Sequence, residues 1–168
     1  GSGSSGAFWL TNVGGTLFFA ASDGANGNEL WKSDGSEAGT VMVEDLWPGG
    51  GDSWPEYLTA VGGTLFFRAW DAQSGAGNEL WKSDGTEAGT TVVMDIIPGW
   101  SSSFPEYLTA VGGTLFFSAY DEVNGRELWK SDGTEVGTAR VRDIWPGGGV
   151  SWHNNLTGGE GTLFFVAN

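Results

Sequence analysis

The chain has 168 residues, 7 Lys plus Arg against 21 Asp plus Glu, and a formal net charge of −14 at pH 7. Such a surface repels phosphate backbones and anionic lipid, so neither nucleic-acid binding nor membrane insertion is expected. With no Cys and one His, disulfides, zinc–thiolate centres and multi-histidine metal sites are excluded, and no apolar run reaches the length of a membrane-spanning helix.

Residues 1–6 read GSGSSG, the composition of a cloning linker, and are set apart from the fold. The absence of a signal-peptide pattern therefore carries no information on location. From residue 7 onward the chain repeats itself. Leu10, Leu58, Leu108 and Leu156 are equivalent, at spacings of 48, 50 and 48. VGGTLFF begins at Val13, Val61 and Val111, and a diverged GEGTLFF begins at Gly159. NELWKSDG begins at Asn28 and Asn78, and ELWKSDG at Glu127. Each copy is followed by Ser or Thr, Glu, a small apolar residue and Gly-Thr. The units are 7–51, 52–101 and 102–149, with a half unit at 150–168. A period of this size means a solenoid, a propeller or an array.

The second unit sets the pattern of elements. A strand over 56–61 meets a Gly-Gly turn, and a second strand runs over 64–70. A Gly-rich loop, 71–77, leads to a third strand over 78–83. Asp84-Gly85 opens a turn that closes at Gly89, and a fourth strand over 90–97 stops at Pro98-Gly99. Asp-Gly and Gly-Gly between short β-rich runs signal hairpins, and no segment sustains a helical period. The expected fold is all-β: a β-propeller of four-stranded antiparallel blades of 48–50 residues, three full blades plus a half blade per chain. Three and a half blades do not close a ring. The expected partner is therefore a second copy, in a homo-oligomer, with a dimer completing six or seven blades.

The recurring residues read as structural. Trp31, Trp81 and Trp129 hold one place in strand three and are expected between blades. Asp34, Asp84 and Asp132 open the SDG turns, where a short carboxylate accepts its own turn's N–H groups. The positions that vary between units carry the functional signal. Trp47, Trp54, Trp100, Trp145 and Trp152 lie in Gly-rich connections, and Trp70 and Tyr120 follow strand two. Aromatics beside Gly and Ser suit sugar recognition, because a flat ring stacks on the apolar face of a pyranose while nearby polar groups meet its hydroxyls. The same residues also suit plugs in the seam between blades. Asp121, Asn124 and Glu127 form a cluster of oxygen ligands that would suit calcium, although the spacing is not that of an EF-hand loop. No other cofactor is expected. Almost every polar residue recurs in each unit and His153 stands without a nucleophile pattern, so an enzyme is not expected.

The string ELWKSDGT resembles the ELWxxDGT repeats of large bacterial proteins that are secreted or surface-exposed. That resemblance spans nearly the whole chain and implies an extracellular or cell-surface parent. In pattern, residues 98–119 (PGWSSSFPEYLTAVGGTLFFSA) resemble the tachylectin lectins, which are propellers with repeats of similar length. What this second resemblance implies is binding of N-acetylated amino sugars between adjacent blades. The approach Trp of that pattern is present as Trp100, while the other units have Gly50-Gly51 and Gly148-Gly149 there. The expected function is thus a non-enzymatic, multivalent, lectin-like fragment that self-assembles into a ring. The alternatives are a structural or adhesive repeat of a surface protein, or an amplified or engineered propeller fragment with no ligand.

Overall fold

The computed structural model describes residues 5–143 and 154–166. Among these residues every regular element is a strand. The first sheet holds β1 (Phe8–Val13), β2 (Thr16–Ser22), β3 (Asn28–Ser33) and β4 (Val41–Glu44). The second holds β5 (Glu56–Val61), β6 (Thr64–Asp71), β7 (Gly77–Ser83) and β8 (Thr91–Met94). The third holds β9 (Glu106–Val111), β10 (Thr114–Asp121), β11 (Gly125–Ser131) and β12 (Ala139–Arg142). A two-stranded sheet of β13 (Asn154–Gly159) and β14 (Thr162–Val166) follows. Within each sheet the strand order is the chain order and every pairing is antiparallel. Three four-stranded sheets and a two-stranded one, blade-like and repeated, follow one another along the chain.

The first strands β1, β5, β9 and β13 lie side by side, so the sheets stack face on face. Two cores fill the interfaces. Val13, Phe18, Leu30 and Val43 of the first sheet meet Leu58, Leu65, Phe67 and Trp81 of the second. Val61, Phe66, Leu80 and Val93 of the second meet Leu108, Leu115, Phe117 and Trp129 of the third. In TLFF, the first Phe faces the following sheet and Leu with the second Phe face the preceding one, as strand alternation requires. Trp81 and Trp129 are buried between sheets. Trp31 is only partly buried, because no described sheet packs on that face of the first sheet.

Polar contacts repeat with the same period. The Thr11 hydroxyl donates to the Leu58 carbonyl (2.9 Å), Thr59 to Leu108 (3.2 Å) and Thr109 to Leu156 (3.3 Å), joining neighbouring first strands. Lys32 donates to the Gly85 carbonyl (2.6 Å) and Lys82 to Gly133 (2.7 Å), joining strand three of one sheet to the SDG turn of the next. Each first strand carries a bulge after its opening residue. Trp9, Tyr57 and Tyr107 occupy these bulges with φ near +57°. The bulge turns their rings toward one another, with centroids 5.0 Å and 6.3 Å apart.

The boundaries of the second sheet fall within one residue of expectation except at the end of strand four. Strand four of the second sheet ends at Met94 rather than at residue 97. The Ile96 N–H leaves the ladder and donates to the Glu79 side chain instead.

The SDG turns show why Gly closes them. The Asp84 carboxylate accepts the Thr86 N–H (2.9 Å) and hydroxyl (2.7 Å), and the Thr86 hydroxyl accepts the Gly89 N–H (3.0 Å). A Cβ on Gly89 would overlap the Asp84 carboxylate, whereas one on Gly63 would meet open space. Gly89→Ala is expected to destabilise the fold by about 2 kcal/mol, within the range for a steric clash. Gly63→Ala should change stability little. The check is the urea midpoint of each variant; equal midpoints would contradict the turn's geometry.

Candidate functional site

The connection from β4 to β5 carries two of the candidate side chains, Trp47 and Trp54, and is pinned along its length. The Asn28 carbonyl accepts the N–H groups of Ser53 (3.1 Å) and Trp54 (3.3 Å), and Asp52 accepts the Asn28 N–H (2.6 Å). The Ser53 carbonyl accepts the Trp70 N–H (2.8 Å), which ties the connection to the end of β6. A Cβ on Gly27, at φ +72°, would collide with the Gly51 carbonyl, so the close pass of the connection requires glycine there.

The strongest pin is a carboxylate. Glu29, fully buried, accepts the Leu46 N–H (3.1 Å), the Ser53 N–H (3.0 Å) and the Ser53 hydroxyl (2.6 Å). Leu46 and Ser53 immediately precede Trp47 and Trp54, so one side chain sets both aromatic positions. Glu79 repeats the arrangement one unit on, accepting the N–H groups of Ile96 (3.3 Å) and Ser103 (2.7 Å) and the Ser103 hydroxyl. Burial pushes both glutamates up to about 7, against the opposing pull of the serine hydroxyl and N–H groups. Glu44 is likewise pushed up to about 7 by burial, with Glu87 and Asp71 adding to the effect. Reading the sequence as strands and turns passed over these glutamates. A carboxylate recurring beside Leu and Trp in every copy of a buried strand was the available signal.

The pinned connection and the ends of β6 and β7 enclose a cleft of about 400 Å³, lined by Trp47, Gly51, Asp52, Trp54, Trp70 and Asn78. Its size falls within the range of small-ligand sites, roughly 300–1,000 Å³. Trp47 stacks on Trp70, with ring centroids 6.1 Å apart and planes at 25°. Trp54 is 54 % exposed and held at φ +48°, in the left-handed region that a bulky residue rarely adopts. Trp70 Nε1 and Asn78 Oδ1 are buried and have no hydrogen-bond partner among the described residues. A donor and an acceptor left open beside stacked rings can receive hydroxyl groups of a flat, amphipathic ligand. Behind Trp54 lies a second cleft of about 210 Å³, bounded by Phe8, Trp9 and Asn28 among others.

Trp47, Trp54 and Trp70 are thus brought together. Trp100 is exposed and lies over Gly75, and Tyr120 is exposed at the end of β10. At this second connection Ile97 stands in place of Trp47, and Arg126 in place of Asn78 donates to the Phe104 carbonyl (3.1 Å). Trp145 and Trp152 lie outside the described residues. Asp121 accepts the N–H groups of Val123 (2.9 Å) and Asn124 (2.6 Å) and the Asn124 amide (2.9 Å), while Glu127 is fully buried. Among the described residues no three acidic or histidine side chains converge as metal ligands. Asp34, Asp84 and Asp132 sit in their turns, held below the usual carboxylate range by the hydroxyl and then the N–H of Ser36, Thr86 and Thr134. The chain matches no protein-family model and no curated protein.

These groups set the pH dependence of stability. In the unfolded chain Glu29, Glu44 and Glu79 ionise near 4.5, but in the fold they keep their protons to about 7. Their stabilising effect is present below 4.5 and is lost as pH rises through 7, by about 1–3 kcal/mol for each of the fully buried pair. The turn aspartates act oppositely, losing their effect as pH falls below their unfolded value of 3.8. Stability is therefore expected to peak near pH 4–5 and decline steadily to pH 8. Urea midpoints across that range check this; a flat or rising profile from pH 5 to 8 would contradict neutral buried glutamates.

Proposed function

We propose that the stacked sheets are blades of a β-propeller, and that the cleft formed by Trp47, Trp54 and Trp70 binds a pyranose, making the chain a non-enzymatic, lectin-like module. The propeller reading is supported by the repeated joining of first strands and by the face-on-face order of the sheets. The observation that carries the sugar reading is the pairing of stacked and exposed indoles with the open donor of Trp70 and acceptor of Asn78. Asp52 on the rim and the net charge of −14 favour neutral or amino sugars over sulfated or uronic ones. N-acetylated amino sugars fit that choice. Several copies presented together raise avidity by a factor of about 10² to 10⁴ without any new contact.

One observation favours a second reading, in which the chain is a structural or adhesive repeat. The second connection lacks the indole pair, with Ile97 and Tyr120 in the equivalent places and Arg126 in that of Asn78, so the stacked indoles do not recur at each unit.

A glycan array probed with and without EDTA tests the first reading. Amino-sugar glycans should bind, and Trp54→Ala and Trp47→Ala should each raise Kd about tenfold, the scale of one aromatic stacking contact. Thermal stability should change little for Trp54→Ala, whose side chain is exposed. A folded protein that binds no glycan, or variants that bind as the parent does, would favour the scaffold. Loss of binding in EDTA would bring a cation into the site.

A further inference from the structure

The two ends of the sheet stack are complementary halves of the junction that already occurs twice inside the chain. At each internal junction a Phe from strand two and a Lys from strand three close on the Gly of the next SDG turn. Phe18 and Lys32 close on Gly85, and Phe66 and Lys82 on Gly133. The third sheet presents the same pair, Phe116 and Lys130, and Lys130 is exposed with no partner among the described residues. Among the described residues, the half sheet that follows supplies no SDG turn. At the other end, the SDG turn of the first sheet is intact, but the space over Gly35 is empty. The apolar faces agree. Leu10 is 61 % exposed while its equivalents Leu58 and Leu108 are 8 % and 9 %. Val141 is 44 % exposed while Val43 and Val93 are 7 % and 5 %.

We propose that a second copy of this chain seats its first sheet on the third sheet, with Phe116 and Lys130 closing on Gly35 of the incoming copy, and that two copies do so reciprocally to form a ring of six complete sheets. The inference rests on the propeller reading and not on the sugar reading. A head-to-tail contact of this kind closes into a ring when its rotation allows. Propellers typically hold 4 to 8 blades, and two copies of the three complete sheets described fall in that range.

The half sheet β13–β14 occupies the place that the incoming β1 takes against β9, so it gives way. The incoming β1–β2 pair is backed by β3 and β4, whereas among the described residues no third strand backs β14. Gly158 stands where Ala60 and Ala110 pack against the preceding sheets, so the half sheet also buries less there than an internal sheet does.

Mass measurement on the full chain by light scattering tests this. The expected mass is twice the 17.7 kDa of one chain. Lys130→Glu, which removes a donor with no role inside one copy, should raise the dimer dissociation constant at least about tenfold, the scale of one charge-assisted hydrogen bond. Leu156→Asp, which unseats the half sheet, should leave the dimer as tight or tighter. A mass other than two chains, a dimer indifferent to Lys130→Glu, or one that dissociates with Leu156→Asp would overturn the proposal. Circular dichroism separates the two readings. A monomer with full β signal overturns the ring closure alone, and a monomer without it overturns the propeller as well.

Discussion

The architecture depends on a buried carboxylate in strand three. Glu29 and Glu79 each collect two backbone N–H groups and a hydroxyl from the connection that leaves one sheet and enters the next. Those N–H groups lie in irregular backbone, where no ladder can satisfy them, and leaving them bare would cost about 1–3 kcal/mol each. A single side chain thus replaces the secondary structure that the connection lacks. A protonated carboxyl keeps most of this network, because the Ser53 hydroxyl can turn to the Asn28 carbonyl (3.2 Å) and accept from the acid. Folding and proton uptake are therefore coupled through the residues that also aim the indoles.

Much of the strand pattern was legible because its punctuation is chemical. Gly-Gly and Asp-Gly force tight turns, and TLFF alternates in a way that only a sheet buried on both faces satisfies. The glutamate pin was not legible in the same way. Most of its partners are backbone N–H groups 17 and 24 residues away, which carry no side-chain signature, and the one hydroxyl, on Ser53, lies as far off in the chain. The early end of strand four has the same origin, since Ile96 gives its N–H to Glu79. Trp47, Trp54 and Trp70 could be singled out as variable aromatics. Their convergence could not be read, because it requires Trp54 to adopt a backbone angle that its residue type disfavours.

The two connections show how near-identical repeats diverge locally. Both keep the pin, the serine and the left-handed aromatic, as Trp54 and Phe104 at φ +48° and +46°. They differ in what surrounds that frame. Trp47 and Asn78 leave open space and open polar atoms at the first, whereas Arg126 spans to the Phe104 carbonyl and pairs with Glu106 (3.3 Å) at the second. The frame is common property, and the contents of the cleft are set by a few side chains outside it.

The plain strand order within each sheet has a kinetic consequence. Every four-stranded sheet is completed within 37 to 39 consecutive residues, through hairpins whose partners are close in sequence. Such local closure lowers the entropic barrier to folding, so a sheet can form as soon as its own segment is available and then template its neighbour. Opening runs in the reverse order. Amide exchange should be faster in the two-stranded β13–β14 than in β6 and β7, which are paired on both edges and covered on both faces, so the middle of the chain outlasts the half sheet.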